Sequence, residues 1–521
     1  MDRMLAATSV AMEAGADERL PASGLLQALQ QAEERLAASA DSPGNERLQA
    51  LCRQLGELHR TGLAPQVGQL ARELAASGHI EPARGLWLAL QQALPDSPAG
   101  WVGQAKLATQ QHRWEEAMEG WSRALERFPD RNQPVWKLGL ARAMHHLGLN
   151  DEAAGFLRQA LSINPDVLGV RHLLVNVLDK TGHLADALAL LEERLDDCLG
   201  DLHLQFQHLK LLTRLGQRER AVATAHRLLD EASSLDWLPG IVRMLPEMAE
   251  AHALAQLTEH ARARLDEFAE GATPGRPRQL ACELALRLLL LQRRHDAFVQ
   301  AFGELAPIDL PPRQHGAYRR LAERLATPLH ELIAAPKVFC IGLSKTATTS
   351  FTAATEALGL FSAHYQHPLS FEMLDEQQAL YFDACSDTPI AASFERLYHQ
   401  FPNARFVLTQ RPKTSWLASL QRHHQLHFGT SDWAALRQLT AQSLPRPALV
   451  EASLYFRHAD ADAAWQAHEQ RVSGFFADKP PGKLLVLDVF AGQGWPELCG
   501  FLGLAAPAAR FPHENPVREG G

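Results

Sequence analysis

The stretch KVFCIGLSKTATTSFTAATEALGL, residues 337–360, decides the fold of the C-terminal part of the chain. Its first six residues form a short, continuous apolar run of β-forming side chains, which is typical of a buried parallel strand. A loop from Gly342 to Ala347 follows, and an amphipathic pattern that ends at Gly359 then predicts a helix. Backbone N–H groups and the positive end of the helix dipole converge at such a junction, so the stretch predicts an anion site.

The side chains of this loop indicate which anion it holds. Lys345 and the neighbouring hydroxyl groups suit a phosphate or a phosphosulfate. A Walker loop does not fit, because Lys345 comes three residues after Gly342 with no glycine directly before it, and a nucleoside triphosphatase is therefore disfavoured. A kinase with an unusual loop, which would need ATP and magnesium, stays open as a third alternative. A polar helix cap without catalytic function is the structural alternative for the loop itself.

Three further apolar runs extend the pattern outward from this strand, at residues 379–385, 405–410 and 483–489. Helical patterns separate them, which predicts a P-loop-like α/β domain with a parallel sheet and crossover helices. Asp387 and Arg411 come shortly after the first two of these runs. We expect both at the carboxyl ends of neighbouring strands, where open parallel sheets bind ligands, and thus in one crevice.

The part of the chain before this domain repeats with a period of 34 to 36 residues, and the repeat is carried by five alanines: Ala83, Ala117, Ala153, Ala187 and Ala221. Five residues before each alanine stands a candidate left-handed turn residue: Gly78, His112, Gly148, Gly182 and Gly216. The pattern predicts an all-α solenoid of helical hairpins over residues 1–310, clearest at 65–230. Residues 20–64 and 231–310 are helical by pattern but repeat poorly. We expect a linking segment at 311–336 and the α/β domain at 337–521.

Composition limits the possible functions. Of the 521 residues 46% are hydrophobic and 21% charged, which is enough apolar surface for several globular cores. The net charge of −9, with an acidic excess on both sides of Lys337, argues against nucleic acid as a partner. No apolar stretch approaches the roughly 20 residues of a membrane span and no signal peptide is recognisable, so we expect a cytoplasmic protein. Six scattered cysteines lack metal-site spacing, and we expect no metal.

The string Lys345-Thr346-Ala347-Thr348-Thr349 resembles the 5′-phosphosulfate loop of sulfotransferases of bacterial type, and the likeness extends over about residues 337–515. That family binds 3′-phosphoadenosine 5′-phosphosulfate (PAPS), and it favours glycine where this chain has Ala347. An arginine and a serine eight residues later hold the 3′-phosphate in the family, and Arg411 and Ser419 match that spacing. The resemblance therefore implies PAPS bound by Ser344 through Thr349 together with Arg411 and Ser419, with no metal required.

The resemblance also implies catalytic roles. Lys345 would neutralise the charge that develops on the departing phosphate. Asp387 stands where sulfotransferases place a histidine or an acidic base, although Asp followed by Thr388 and a proline is equally a helix cap. His364 and His367 are rival bases. His468 could reach the nucleotide or the acceptor, and the alternative for this residue is an ordinary surface role.

Segments such as HRWEEAMEGWSRALERFPD, residues 112–130, resemble the tetratricopeptide repeat, which implies a protein or peptide partner on the concave face of the solenoid. Together the two resemblances imply a cytoplasmic sulfotransferase that moves a sulfuryl group from PAPS to a hydroxyl or amine, with repeats that recruit the acceptor or a partner. The alternative is a repeat scaffold whose nucleotide-binding domain does not catalyse. The acceptor stays open among glycan, peptide, lipid and small molecule.

Overall fold

The computed structural model describes residues 63–131, 133–193, 201–269, 275–439 and 446–513. Two compact units make up the chain, residues 1–177 and residues 178–521. The predicted N-terminal flank, residues 20–64, lies outside the described residues apart from its last two.

The described part of the first unit is helical, and its last helix runs past residue 177. The helices are α1 (Leu63–Ala76), α2 (Ile80–Ala93), α3 (Pro98–Gln110), α4 (Trp114–Arg127), α5 (Pro134–His146), α6 (Asn150–Ile163) and α7 (Leu168–Thr181). Tight helix contacts explain the small residues of the repeat. A Cβ on Gly139 would lie 2.3 Å from a ring atom of Trp121, so only glycine fits there.

The predicted helical hairpins are confirmed wherever the structure describes this part of the chain. The five repeat alanines, Ala83, Ala117, Ala153, Ala187 and Ala221, are each 0% exposed. All five predicted turn residues have positive φ angles, between 55° for His112 and 85° for Gly78. His112 therefore adopts the turn conformation although it carries a Cβ.

The second unit begins with further helices: α8 (Leu184–Glu192), α9 (Leu202–Arg214), α10 (Arg218–Glu231), α11 (Leu238–Met248), α12 (Ala251–Ala269), α13 (Arg276–Leu291), α14 (His295–Glu304), α15 (Pro312–Leu325) and α16 (Leu329–Ala334). One hydrophobic core joins Leu286, Phe298 and Tyr318 to Phe339 and Phe406. Residues on both sides of the predicted linker 311–336 thus pack into a single core. The predicted domain boundaries themselves stay a prediction.

A five-stranded parallel sheet follows, in the order β2-β3-β1-β4-β5. Its strands are β1 (Lys337–Cys340), β2 (Ser362–His364), β3 (Ala384–Ser386), β4 (Ala404–Gln410) and β5 (Leu484–Asp488). The prediction of a parallel sheet with crossover helices is confirmed. The predicted strand 379–385 is wrong over most of its length, because Gln378–Tyr381 forms a 3₁₀ turn and the strand covers only Ala384–Ser386.

The strand order corrects one expectation. Asp387 follows β3 and Arg411 follows β4, and these strands are not neighbours, because β1 lies between them. The loop after β1 is therefore flanked by both. The helices of this domain are α17 (Thr348–Ala357), α18 (Thr388–Gln400), α19 (Lys413–Phe428), α20 (Trp433–Leu439), α21 (Arg446–Glu451), α22 (Ala461–Phe476) and α23 (Trp495–Leu502).

Candidate functional site

The loop after β1 has the backbone of an anion cradle. Lys345 and Ala347 have φ angles of 67° and 78°, so two left-handed residues turn the chain into α17. The backbone N–H groups of Lys345 and of Ala347–Thr349 have no hydrogen-bond acceptor among the described residues. Successive N–H groups that point out of a turned loop form a concave site for an anion, and the helix start adds its positive end.

Close packing explains why the loop begins with glycine. A Cβ on Gly342 would lie 2.0 Å from Thr409 Oγ1 and 2.6 Å from Thr346 Oγ1. The Thr346 hydroxyl donates to the Leu343 carbonyl at 2.6 Å and lies 2.8 Å from Thr409 Oγ1. The hydroxyl of Thr346 and its backbone N–H, which donates to the Leu343 carbonyl at 3.2 Å, therefore both hold the loop in shape.

Ser344 is held in the same way from the other side. Its N–H donates to Tyr455 Oη at 2.9 Å, and its hydroxyl lies 2.8 Å from the same oxygen. The Trp416 indole N–H donates to the Ser344 carbonyl at 2.9 Å. Ser344 is only 4% exposed, so its polar atoms fix the loop, whereas Lys345 is partly exposed. Neither Tyr455 nor Trp416 lies in a sequence motif that would have identified it as a partner of this loop.

Arg411 reaches the loop from the end of β4. Its Nη1 donates to the Lys345 carbonyl at 3.1 Å, its Nε donates to Ser415 Oγ at 3.0 Å, and its guanidinium lies 4.6 Å from the ring centre of Phe490. Ser419, two turns along α19, is partly buried, and its hydroxyl has no partner among the described residues.

A second guanidinium acts on Arg411. Burial, together with the nearby charge of Arg422, lowers the pKa of Arg411 from its ordinary value. Neither arginine forms an ion pair with a carboxylate in the described ranges. A guanidinium without a carboxylate partner among the described residues suits a phosphate dianion.

His364 and Asp387, which the sequence left as rival bases, are in contact. His364 Nε2 lies 3.3 Å from Asp387 Oδ2 and 3.3 Å from Thr349 Oγ1. Its Nδ1 lies 2.9 Å from Ser386 Oγ, which in turn is 2.6 Å from Thr352 Oγ1. The imidazole is therefore oriented by polar groups on both sides and lies against the start of α17.

Asp387 caps α18, one of the two roles that the sequence suggested, and it also contacts His364. Its Oδ1 accepts the backbone N–H of Thr388 at 2.8 Å, which caps α18, and its Oδ2 faces His364. Its backbone has φ 83° and ψ −173°, a region that residues with a Cβ rarely adopt. Strained backbone of this kind concentrates at functional sites, because the surrounding structure must hold it in place.

The other two histidines are structural in their contacts. His367 Nδ1 accepts the backbone N–H groups of Leu369 and Ser370, and burial lowers the pKa of His367 to about 3. His468 Nε2 donates to the Ile341 carbonyl at 2.8 Å, and burial lowers its pKa to about 4. His468 is thus a buried anchor for the end of β1 rather than the surface residue expected as its alternative role.

One carboxyl group of the site was missed by the sequence analysis. Glu451 ends α21, is 5% exposed, and its Oε2 has no hydrogen-bond partner among the described residues. Burial and the charge of Asp387 raise the pKa of Glu451 to about 8, against the opposing effect of Lys345. A π-helix, Ala452–Phe456, follows it directly.

Residues of the second unit form a cavity of about 1200 Å³. Its walls come from α10 to α14, from residues Gln366 to Met373 and from Leu449. Gln366 is two residues beyond His364, and Leu449 is two residues before Glu451. Two walls of the cavity therefore continue into the segments that carry these side chains.

Two further properties bear on function. Over the described ranges, no group of three or more His, Cys, Asp and Glu side chains is arranged to hold a metal ion. Every helix in the same ranges is too short or too polar to cross a lipid bilayer.

These features define a class: a parallel α/β domain with a turned loop of unpaired backbone N–H groups after its central strand, preceded by helical repeats. Residues 337–519 match the sulfotransferase domain family, and residues 146–197 match the tetratricopeptide repeat family. The chain thus combines a tetratricopeptide repeat region with a C-terminal sulfotransferase domain.

Individual relatives are distant. The Ava biosynthesis cluster protein M of Aspergillus versicolor is 24% identical over 212 residues, which cover 34% of this chain and 80% of that protein. A tetratricopeptide repeat protein of Parabacteroides merdae is 12% identical, with a TM-score of 0.36, over 50% of this chain and all of its own. Yeast Tom70 is 15% identical, with a TM-score of 0.34, over 60% of this chain and 66% of its own.

Proposed function

We propose that the protein transfers a sulfuryl group from PAPS to a hydroxyl or amine of an acceptor. The observation that carries this proposal is the loop after β1, where the N–H groups of Lys345 and Ala347–Thr349 are unpaired beside Arg411. Unpaired backbone donors and a lysine around one concave turn fit the 5′-phosphosulfate of the donor, and the guanidinium of Arg411 fits its 3′-phosphate. The match of residues 337–519 to the sulfotransferase domain family supports the choice of a sulfated nucleotide.

Each residue has a proposed part in holding the donor. The unpaired backbone N–H groups of Lys345 and Ala347–Thr349 and the hydroxyls of Thr348 and Thr349 would bind the 5′-phosphate. Ser344 and Thr346 would support this site by holding the loop in shape. Arg411 and Ser419 would bind the 3′-phosphate, since one offers forked charged donors and the other an unpaired hydroxyl. Lys345 would neutralise the charge that appears on the departing phosphate, a contribution typically worth roughly 3 to 4 kcal/mol of barrier.

The acceptor must lose a proton, and the contact between His364 and Asp387 offers a place for it. Asp387 Oδ2 is the proposed proton acceptor, either directly or through His364 Nε2, which lies 3.3 Å away. The capping bond to Thr388 and the strained backbone hold this carboxylate in one position. A fixed carboxylate at the end of β3 then serves as general base while it also caps the helix.

The 3′-phosphate contact can be tested without knowing the acceptor. The full chain should bind 3′-phosphoadenosine 5′-phosphate (PAP) more tightly than AMP in calorimetry. Ser419→Ala should lower the affinity for PAP about tenfold, because a hydrogen bond to a charged group is worth about 1.5 kcal/mol or more. The affinity for AMP and the melting temperature should not change, since this hydroxyl has no partner in the described chain.

Ser473→Ala is the matched control, because it removes an exposed helix hydroxyl from α22. It should leave both affinities unchanged. Equal affinity of the unmodified protein for PAP and AMP would remove the assignment of PAPS as donor.

We further propose that the repeats of the second unit recruit the acceptor through the cavity of about 1200 Å³. Small-molecule sites usually have about 300 to 1000 Å³, so the cavity suits an acceptor larger than a simple phenol. Ala255→Trp would fill an exposed part of its wall, whereas Ala263→Trp lies on the same helix, is also exposed, and does not line the cavity.

Transfer of label from radiolabelled PAPS should distinguish the two variants. Ala255→Trp should lower transfer to peptide and glycan probes but not to a small phenol, and Ala263→Trp should behave like the unmodified protein. Equal transfer by both variants to every probe would show that the repeats do not recruit the acceptor through this cavity.

A further inference from the structure

Glu451 is a buried carboxyl group for which the described chain offers no complete set of partners. The residue is 5% exposed, and its Oε2 makes no hydrogen bond within the described ranges. Buried polar atoms are nearly always paired, so an unpaired one in a native site calls for a partner other than the described residues, and a bound ligand is such a partner. The helix changes from α to π directly after Glu451, and π segments are frequent at functional sites.

The position of Glu451 relates it to the anion loop. Tyr455, about one turn further along the helix, is bonded through its Oη to the N–H and the hydroxyl of Ser344. This face of the helix therefore lies against the residue that precedes Lys345. On the other side, α21 packs against α18, the helix that Asp387 caps.

The charges around Glu451 determine which form of the carboxyl group is stable. Lys345 and Asp387 act on it with opposite signs, and Tyr365 and Tyr455 are the other titratable groups that face it. Burial raises the pKa of Glu451 to about 8, with Asp387 acting in the same direction and Lys345 against it. Near pH 7 the group is therefore mostly a neutral carboxylic acid, which can donate a hydrogen bond.

The chemistry of the missing partner follows from that form. A neutral carboxylic acid beside an anion cradle offers one O–H donor, and its natural partner is an anionic oxygen. Ionised, the same group would repel a phosphate in a site of low dielectric constant. Nucleotide phosphate is the anion for which the loop has unpaired N–H groups.

We propose that Glu451, in its neutral form, donates a hydrogen bond through Oε2 to a 5′-phosphate oxygen of the bound nucleotide and adds a donor to those of the loop amides. The proposal rests on the donor site proposed above. It gives Glu451 a role separate from Asp387: one carboxyl group keeps its proton to bind the donor, and the other takes a proton from the acceptor. Both carboxyl groups act on the same lysine-bearing loop.

The proposal predicts that PAP binding depends on a proton held by Glu451. With a pKa of about 8, the neutral fraction falls from roughly nine tenths near pH 7 to about one tenth near pH 9, so PAP affinity should drop about tenfold across that range. Glu451→Gln keeps an N–H donor that does not titrate. It should bind PAP with nearly normal affinity near pH 7 and lose this tenfold dependence.

Calorimetry of PAP binding by the full chain at both pH values is the test. Lys345 and the tyrosines are present in both the unmodified protein and Glu451→Gln. A difference between these two proteins in the pH dependence of PAP affinity is therefore due to Glu451. Glu451→Leu, which has no donor, should bind PAP weakly at both pH values. Glu469→Gln is the matched control, because burial also raises the pKa of Glu469 but its carboxylate accepts from Gln410 at 3.3 Å, and its pH dependence should be unchanged.

The outcomes separate this proposal from the proposed function. If the unmodified protein binds PAP and Glu451→Gln shows the same loss of affinity with pH, the Glu451 contact is wrong and the donor site stands. If the unmodified protein does not bind PAP, both are wrong. Should the variants fail to fold, PAP can be titrated into the unmodified protein near pH 8 in buffers of different ionisation enthalpy. The proposal requires that PAP binding takes up a proton under these conditions. Binding without proton uptake overturns the Glu451 contact.

Discussion

Replacing Ala347 by glycine should stabilise the protein, although glycine usually weakens a folded chain. Ala347 caps α17 with φ 78° and ψ 26°, in the left-handed region. For a residue with a Cβ this conformation costs roughly 1 to 2 kcal/mol, and glycine adopts it freely. Glycine also gives the unfolded chain about 0.4 to 1 kcal/mol of additional conformational entropy, which opposes the gain. The free energy of unfolding should therefore rise by about 1 kcal/mol.

The assay is urea unfolding of the full chain, followed by the transition that shifts when PAP is added, because that transition belongs to the unit that binds the nucleotide. Ala353→Gly is the matched control, since Ala353 lies in the right-handed interior of α17. Glycine there should lower the free energy of unfolding by about 1 kcal/mol. Both substitutions replace alanine by glycine, and their effects on the free energy of unfolding should have opposite signs.

A loss of stability of similar size in both variants would refute the left-handed turn at Ala347. The same proteins test whether the alanine weakens the anion site. If the methyl group crowds the phosphate, Ala347→Gly should also bind PAP more tightly. Unchanged affinity would show that the cradle already accommodates alanine, which favours a functional donor site over a scaffold that has lost it.

Three further outcomes follow from the same site. Asp387→Asn should lower turnover by roughly 10² to 10⁴ with little change in PAP affinity or melting temperature. If activity is lost in His364→Ala but not in Asp387→Asn, the base is the imidazole of His364. Tyr455→Phe removes the partner of Ser344, so denaturation should show a loss of about 1 to 3 kcal/mol and calorimetry a weaker affinity for PAP. Burial lowers the pKa of His468 to about 4, so between about pH 6.5 and pH 4 the unfolded state takes up a proton that the folded state does not. The free energy of unfolding should therefore fall as the pH is lowered through this range. Equal stability near pH 7 and about pH 5 would contradict this.

The repeats were predictable because their signal is local and recurs. An alanine that is buried in every hairpin and a left-handed residue five positions before it satisfy the same two contacts each time. His112 shows how strongly the period determines the turn, because it takes a positive φ without being glycine. A single occurrence of either residue would have indicated nothing.

The sheet was predictable only in part, because strand length limits the signal. The strands β1, β4 and β5 have four to seven residues and read as apolar runs, whereas β2 has three, and one of them is His364. No alternation can be recognised over three residues. The contact between His364 and Asp387 was therefore hidden, since it arises only because β2 pairs with β3 at the edge of the sheet.

Glu451 and Tyr455 were out of reach for a different reason. Both lie more than 100 residues from the loop they serve, on a helix without a recognisable motif, and their importance comes from burial rather than from residue type. A glutamate in an amphipathic helix is usually solvated, so sequence alone favours a surface position. What distinguishes Glu451 is that its buried Oε2 has no partner within the part of the chain that the structure describes.

The strand order explains why these distant groups meet at one loop. The chain forms β1, passes to β2 and β3 on one side of it, and then crosses to β4 and β5 on the other. Crossovers that leave a strand in opposite directions open a crevice at its carboxyl end, which is where parallel sheets bind ligands. Asp387 enters that crevice from one side and Arg411 from the other, with Lys345 between them. The sheet therefore fixes where these side chains meet, and in the proposed function they determine which anion binds and which proton moves.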